Sequence, residues 1–322
     1  MDQHKNIRSK TNIFQCYRNW CGVLLLGLVL QSGCSVHPTT VVIDQQYQSE
    51  NRNERIRFVV IHYTAGNWQQ SLHILTRPSD RPVSAHYLIP ESGDTSYPVD
   101  QALKVYQLVP EQQRAWHAGD SQWEDKTGLN DLSIGIELVN QSWCERQTNQ
   151  LLPEAELCLL NDFDPAQLQL LLALLKDILA RNPDITPTRV LGHSDIVPQR
   201  KQDPGSRFPW QWLAAQGVGA WYDNVVMQRY WQQLTVLPEI KTVQRALRLY
   251  GYGIAITGQH DAQSRLYLLA FQRHFVPENI TGELDLKTVA VLWALLEKYF
   301  PQSLHQEPQL QLLPAQPAIK PA

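Results

Sequence analysis

Residues 56–63 (IRFVVIHY) constrain the fold more than any other segment of this chain. An apolar, β-branched run of this length suits a strand buried on both faces, so other elements must cover each side of the sheet that contains it. Residues 84–89 (SAHYLI) and 133–139 (SIGIELV) predict two more strands, and 190–193 a short fourth. Residues 67–76 predict a helix. A stronger helix starts at the N-cap Asp164, with Pro165 at its first position and Gln167 placed to close a capping box. Leu168, Leu171, Leu172, Leu175 and Leu179 then form one apolar stripe, which Asn182-Pro183 ends. Strands interleaved with helices predict an α/β domain over residues 56–216.

The rest of the chain follows a different pattern. At 322 residues it has room for about two domains. Residues 217–238 read as a connector, although Trp221, Tyr222, Tyr230 and Trp231 suggest that it packs on something. Residues 239–300 predict a small domain of three short helices, near 240–250, 261–275 and 285–300, joined by glycine-containing turns. Residues 301–322 hold five prolines among Gln and Ala and are expected to form a flexible tail. Apolar residues make up 43% and charged residues 18%, which excludes a mostly disordered chain. A net charge of −3 gives no basic face for nucleic acid.

The N-terminus reads as an export signal. Lys5, Arg8, Lys10 and Arg18 precede an 11-residue apolar run, 20–30, too short to span a bilayer. The run leads into Gln31-Ser32-Gly33-Cys34, which resembles the lipobox at which bacterial lipoproteins are cut and acylated on the cysteine; Gln31 departs from the usual Leu. That resemblance implies a signal peptide over 1–33, lipidation of Cys34 and, with Ser35 following, an outer-membrane lipoprotein facing the periplasm of a Gram-negative cell. Removing 1–33, with its four basic and one acidic side chains, leaves 24 basic and 30 acidic ones. Such a surface is not drawn to anionic lipid, so the acyl chain must act as the membrane anchor. Residues 34–55 are mostly polar and read as a tether reaching roughly 70 Å when extended. Cys144 and Cys158 then remain in an oxidising compartment, where either a disulfide or two buried thiols fits.

Chemistry concentrates at strand ends. His62 ends the first strand, His193 ends the last, and Asp203 follows ten residues later. Two imidazoles and a carboxylate leave an open position on a tetrahedral zinc ion, the pattern of a catalytic site. The spacing alone leaves a second reading open, in which both histidines are capped or satisfied in the core. No HExxH helix fixes the ligands.

Ordered segments carry a more specific signal. Residues 59–65 (VVIHYTA), 84–88 (SAHYL), 115–119 (AWHAG), 130–137 (NDLSIGIE), 191–195 (LGHSD) and Lys201-x-Asp203-Pro204-Gly205 together resemble the zinc-dependent N-acetylmuramoyl-L-alanine amidases, and with the lipobox their outer-membrane lipoprotein branch. The resemblance implies a mixed central β-sheet flanked by helices and one Zn2+ per chain. It implies His62, His193 and Asp203 as metal ligands, Glu137 as catalytic base and acid, and Lys201 as the oxyanion partner. The substrate would be peptidoglycan or muropeptides, cut between N-acetylmuramic acid and L-alanine, with anhydro-muropeptides as further candidates. Tyr63, His86, Trp116, His117 and Asn130 are candidates for substrate contact, although each also has a structural reading. Arg114 has a weaker claim to substrate. Asp195 reads either as support for His193 or as a helix cap.

Residues 240–300 resemble a three-helix peptidoglycan-binding domain in Val243-Gln244-x-Ala246-Leu247-x-x-Tyr250-Gly251-Tyr252, Ala270-Phe271-Gln272-x-x-Phe275 and Thr281-Gly282-x-x-Asp285-x-x-Thr288. Wall docking or a purely structural role would fit this module. A monomer is expected. A non-catalytic peptidoglycan-recognition protein and a stem-peptide metallopeptidase are the alternatives; the first would be expected to lack a ligand, Glu137 or Lys201, and all are present.

Overall fold

The structure, a computed structural model, describes residues 43–146 and 156–312. The expected signal peptide and Cys34 lie outside the described residues. Among those described, no helix is long and apolar enough to cross a membrane. Among the described residues, those from 52 onward form one compact unit, which holds every element named below.

In chain order this unit runs through β1 (Phe58–Tyr63), α1 (Trp68–Thr76), β2 (Tyr87–Ile89), β3 (Tyr106–Gln107), β4 (Gln122–Trp123), β5 (Lys126–Thr127) and β6 (Ser133–Leu138). There follow β7 (Trp143–Arg146), β8 (Glu156–Leu159), α2 (Pro165–Arg181), β9 (Val190–Gly192), α3 (His193–Ile196) and α4 (Trp210–Ala215). Five further helices complete it: α5 (Asn224–Gln233), α6 (Ile240–Tyr250), α7 (Ala262–Phe275), α8 (Leu286–Tyr299) and α9 (Pro301–Gln306). The main sheet has the order β3-β2-β6-β1-β9. Three pairings place β2, β6, β1 and β9 parallel, and β3 is an antiparallel edge, so the sheet is mixed. The ribbons β4–β5 and β7–β8 stand apart from it. A disulfide joins Cys144 to Cys158 across the second ribbon.

Strand β1 shows why its sequence lacks alternation. Val59 and Ile61 enter one core with Leu171, Leu175 and Ile178 of α2. Phe58 and Val60 enter a second core with Leu247, Phe271 and Phe275 of α6 and α7. One face of the sheet is therefore covered by α2, and the other by the C-terminal helices. The C-terminal helices thus pack directly on the sheet. The contact is close. Gly251 has φ 138°, and a Cβ there would lie 2.5 Å from Trp123 Cε2, so only glycine lets the α6 turn seat on the β4–β5 ribbon.

Several local expectations are corrected. Asp164 caps α2 by accepting from the N–H groups of Ala166 and Gln167. Gln167 does not close a capping box. Its Nε2 donates instead to the carbonyls of Ile89 and Val139, at 2.9 Å each, because the ends of β2 and β6 leave those oxygens buried beside the helix. The connector contains α5, whose Met227 and Tyr230 are buried in the same core as α8. The flexible tail is not observed over 301–312. Pro301 starts α9, Leu304 and Leu310 are buried, and Trp293 Nε1 donates to the Leu310 carbonyl at 2.7 Å. Two apolar anchors and one hydrogen bond offset the proline-rich composition there.

Replacing Gln167 by Leu strands two buried carbonyls. The loss is expected to be about 1–3 kcal/mol of unfolding free energy. It should lie at the lower end, since Gln167 Oε1 has no partner to lose. Urea denaturation checks this, and an unchanged midpoint would show that the two carbonyls are satisfied in another way.

Candidate active site

Parallel pairing brings the chemistry to one edge. His62 on β1 is paired with Glu137 on β6. Ile61 is paired with Gly192 on β9, so His193, the next residue, stands beside His62. All three strands end at this edge, where parallel sheets place their ligands. Asp203 is brought in by a backbone bond, Ser194 N–H to the Asp203 carbonyl at 2.9 Å. A cleft of about 340 Å³ opens here, lined by His62, Glu137, His193, Lys201 and Asp203. Tyr63 and Trp116 also line it, with Trp116 half exposed.

The three candidate ligand atoms form a triangle. His62 Nδ1 lies 3.0 Å from His193 Nδ1, and Asp203 Oδ2 lies 2.9 Å and 3.0 Å from the two nitrogens. A tetrahedral ion with bonds near 2.0–2.1 Å holds its ligand atoms about 3.3 Å apart, so this triangle matches one face of such a site within a few tenths of an ångström.

The proton state of His62 follows from the bonds behind it. Ser133 Oγ donates to the Leu129 carbonyl at 2.6 Å, which leaves its oxygen to accept from His117 Nε2 at 3.2 Å. His117 Nδ1 must then accept, and it takes its proton from His62 Nε2 at 3.1 Å. His62 Nδ1 is thereby left as a bare lone pair pointing into the triangle, as a metal ligand must be. Burial, and then the neighbouring His193, push the His62 pKa down to about 4, which also keeps the ring neutral. Burial, and then His62, hold His117 well below its ordinary value. Burial alone would raise Asp203, but the two imidazoles overcome it and hold the carboxyl below the usual range. The donor set therefore suits a divalent cation: two imidazole nitrogens and one carboxylate oxygen.

Glu137 is different. Burial, and then the charge of Asp203, push its pKa up to about 8, against the opposing pull of Lys201. Its Oε2 is buried without a hydrogen-bond partner among the described residues. A carboxyl held this way is a proton carrier near neutral pH.

Other candidates are placed elsewhere. His86 is fully buried; its Nδ1 accepts from Gly135 N–H and its Nε2 donates to the Gln113 carbonyl, so it stitches loop to sheet. Asn130 is buried too, and its Oδ1 accepts from the N–H groups of His117 and Ala118. Neither faces the cleft, because the core uses their polar atoms. His117 touches the cleft, but both ring nitrogens are engaged behind His62, which makes it a positioning group. Arg114 pairs with Asp131 at the surface. Ser133 and Gly135 were missed as contributors. A Cβ on Gly135 would lie 2.3 Å from His117 Cγ, so the glycine in β6 makes room for the ring.

With this geometry in hand, comparison with known proteins is decisive. The sequence profile described as N-acetylmuramoyl-L-alanine amidase matches residues 52–206, and a peptidoglycan binding domain profile matches 237–292. The N-acetylmuramoyl-L-alanine amidase AmiD of Escherichia coli is 40% identical over 283 residues, 86% of this chain and 97% of that protein. This chain belongs to the N-acetylmuramoyl-L-alanine amidase family. Its reaction is hydrolysis of the amide bond between N-acetylmuramic acid and the L-alanine of the peptidoglycan stem peptide. Among solved structures, AmpDh3 from Pseudomonas aeruginosa in complex with anhydromuramic pentapeptide aligns with TM-score 0.73 and 41% identity, covering 81% of this chain and 99% of that one. The AmiD complex with anhydro-N-acetylmuramic acid-L-Ala-D-gamma-Glu-L-Lys aligns with TM-score 0.68 and 41% identity, covering 80% and 95%.

Two outcomes follow. Gly135→Ala displaces His117 and should weaken binding of a divalent metal ion at the triangle on the order of tenfold, as loss of an outer hydrogen bond to a ligand does. Competition against a chromophoric chelator measures it, and equal affinity would remove His117 from the ligand support. In the metal-free protein, a Glu137 pKa raised from 4.5 to about 8 means that the folded state holds a proton that the unfolded state has released. Stability should fall as pH rises from about 4.5 to 8. Glu137→Gln should flatten that slope in chelator-treated samples followed by thermal unfolding. A slope unchanged by the substitution would assign it to other groups.

Proposed function

We propose that the chain is a zinc amidase of cell-wall degradation or recycling, in which His62, His193 and Asp203 hold one zinc ion, Glu137 moves protons and Lys201 offsets negative charge. The observation that carries this reading is the triangle of two imidazole nitrogens and one carboxylate oxygen 2.9–3.0 Å apart, beside Glu137, whose Oε2 has no hydrogen-bond partner among the described residues. Bound zinc would supply Lewis acidity, acidifying water and polarising the scissile carbonyl.

The remaining work belongs to side chains. Glu137 Oε2 has no competing partner among the described residues, so it accepts the proton of the attacking water. It then returns that proton to the nitrogen of L-alanine, which is a poor leaving group without it. A raised pKa favours a carboxyl that can do both. Lys201 brings a preorganised positive charge to the same cleft, where the carbonyl oxygen gathers negative charge. Tyr63 and Trp116 offer aromatic faces to the sugar at the rim.

Muropeptides, including anhydro forms, are the proposed substrates; the ligands named for the two solved relatives support this. The lipobox supports cleavage before Cys34, lipidation there and placement at the outer membrane facing the periplasm, with 34–55 as tether.

The test uses the protein from residue 35 onward with a defined muropeptide mixture, with products read by mass spectrometry. Intact stem peptide and peptide-free muramyl sugar should appear, vanish with a chelator and return with zinc. A shortened stem still attached to sugar would instead make it a stem-peptide metallopeptidase. Glu137→Ala should keep stoichiometric zinc and lose on the order of 10²–10⁴ in turnover. Loss of zinc from that variant would make Glu137 a ligand or a structural group.

A further inference from the structure

Asp195 links the metal site to the C-terminal helices. Its carboxylate is almost fully buried and accepts three hydrogen bonds. Oδ2 takes one from Gly192 N–H at 2.8 Å, at the turn between β9 and α3. It takes another from His274 Nδ1 on α7 at 2.8 Å. Oδ1 takes the third from the Tyr252 hydroxyl, just past α6, at 2.9 Å. His274 is itself held by Trp210, stacked at 3.8 Å and 17°. Tyr252 is fully buried and packs edge-on against Trp123.

The turn gripped in this way carries His193. The next residue, Ser194, donates its N–H to the Asp203 carbonyl at 2.9 Å. Two of the three candidate ligands therefore hang on a four-residue helix too short to hold itself in place. From the sheet side it is tied through Gly192. From the other side, the groups bonded to its carboxylate are Tyr252 and His274.

We propose that Tyr252 and His274 of the C-terminal helices are positioning residues for the metal site, acting through Asp195 on the turn that presents His193 and Asp203. The proposal rests on the assignment of His193 and Asp203 as ligands. It makes the module matched by the peptidoglycan binding domain profile a working part of the amidase site, whatever it binds outside. Hydrogen bonds behind a metal ligand set its orientation, and losing them weakens metal binding on the order of 10–100-fold.

The experiment measures zinc affinity by competition with a chromophoric chelator in the full chain, with circular dichroism as the check on folding. Tyr252→Phe removes only the hydroxyl and keeps the ring in its packing. His274→Gln keeps a donor near the same place, and Asp195→Ala removes the acceptor. Expected is a loss on the order of tenfold for Tyr252→Phe and more for Asp195→Ala, with His274→Gln between wild type and Asp195→Ala. Tyr252→Phe should also recover most of its kcat at saturating zinc. Leu304→Ala, which truncates a buried apolar side chain of α9 and removes no hydrogen bond, serves as a control for simple destabilisation and should leave zinc affinity unchanged. Equal affinity in wild type, Tyr252→Phe and Asp195→Ala overturns the proposal, as does an equal loss in Leu304→Ala. His193→Ala separates the two levels. If it binds zinc as tightly as wild type, the ligand assignment falls, and the positioning role falls with it.

Discussion

Burial of β1 on both faces is the constraint on which the rest of the structure depends. Val59 and Ile61 need a partner on one side, and α2 provides it; Phe58 and Val60 need one on the other, and α6 and α7 provide it. A central parallel strand cannot leave either face in water, so the C-terminal helices are held to the sheet by the hydrophobic effect rather than by a linker. His62 then sits near the end of a strand that is paired on both sides. Its paired neighbours deliver Glu137 on one side and His193 on the other. The site inherits its rigidity from the core beneath it.

The polar groups of the site are costly to bury, and the structure balances that cost by pairing them. His62, His117 and Ser133 form a chain that ends on the Leu129 carbonyl, and Asp195 is saturated by Gly192, Tyr252 and His274. Against this background, the buried atoms without partners stand out. Glu137 Oε2 and His193 Nε2 are among the few such side-chain atoms in the described residues. A buried carboxyl kept short of partners raises its own pKa, and that property suits proton transfer.

Local signals in the sequence were reliable where local physics decides. The four strand segments, the N-cap at Asp164 and the three C-terminal helices stand within a few residues of expectation. They failed where a tertiary partner outbid the local one. Gln167 had a helix N-terminus to cap and bonded two strand carbonyls instead. Residues 301–312 had the composition of a tail and acquired order from a buried surface lying near in space. His86 and His117 sit in similar motifs, yet one is consumed by the backbone and the other stands behind a ligand. No spacing rule separates those outcomes, because each depends on which loop crosses which strand.

By itself, the sequence determined the secondary elements, the amidase family and the residues able to bind a metal, because periodicity, caps and ordered motifs are properties of short stretches of chain. Only the tertiary structure decided that His62 Nδ1 carries the lone pair, that Glu137 lies in a site that raises its pKa, and that Tyr252 and His274 reach Asp195 behind the turn that carries His193. Those facts depend on distances between residues up to 79 positions apart, which packing of the sheet against the C-terminal helices sets.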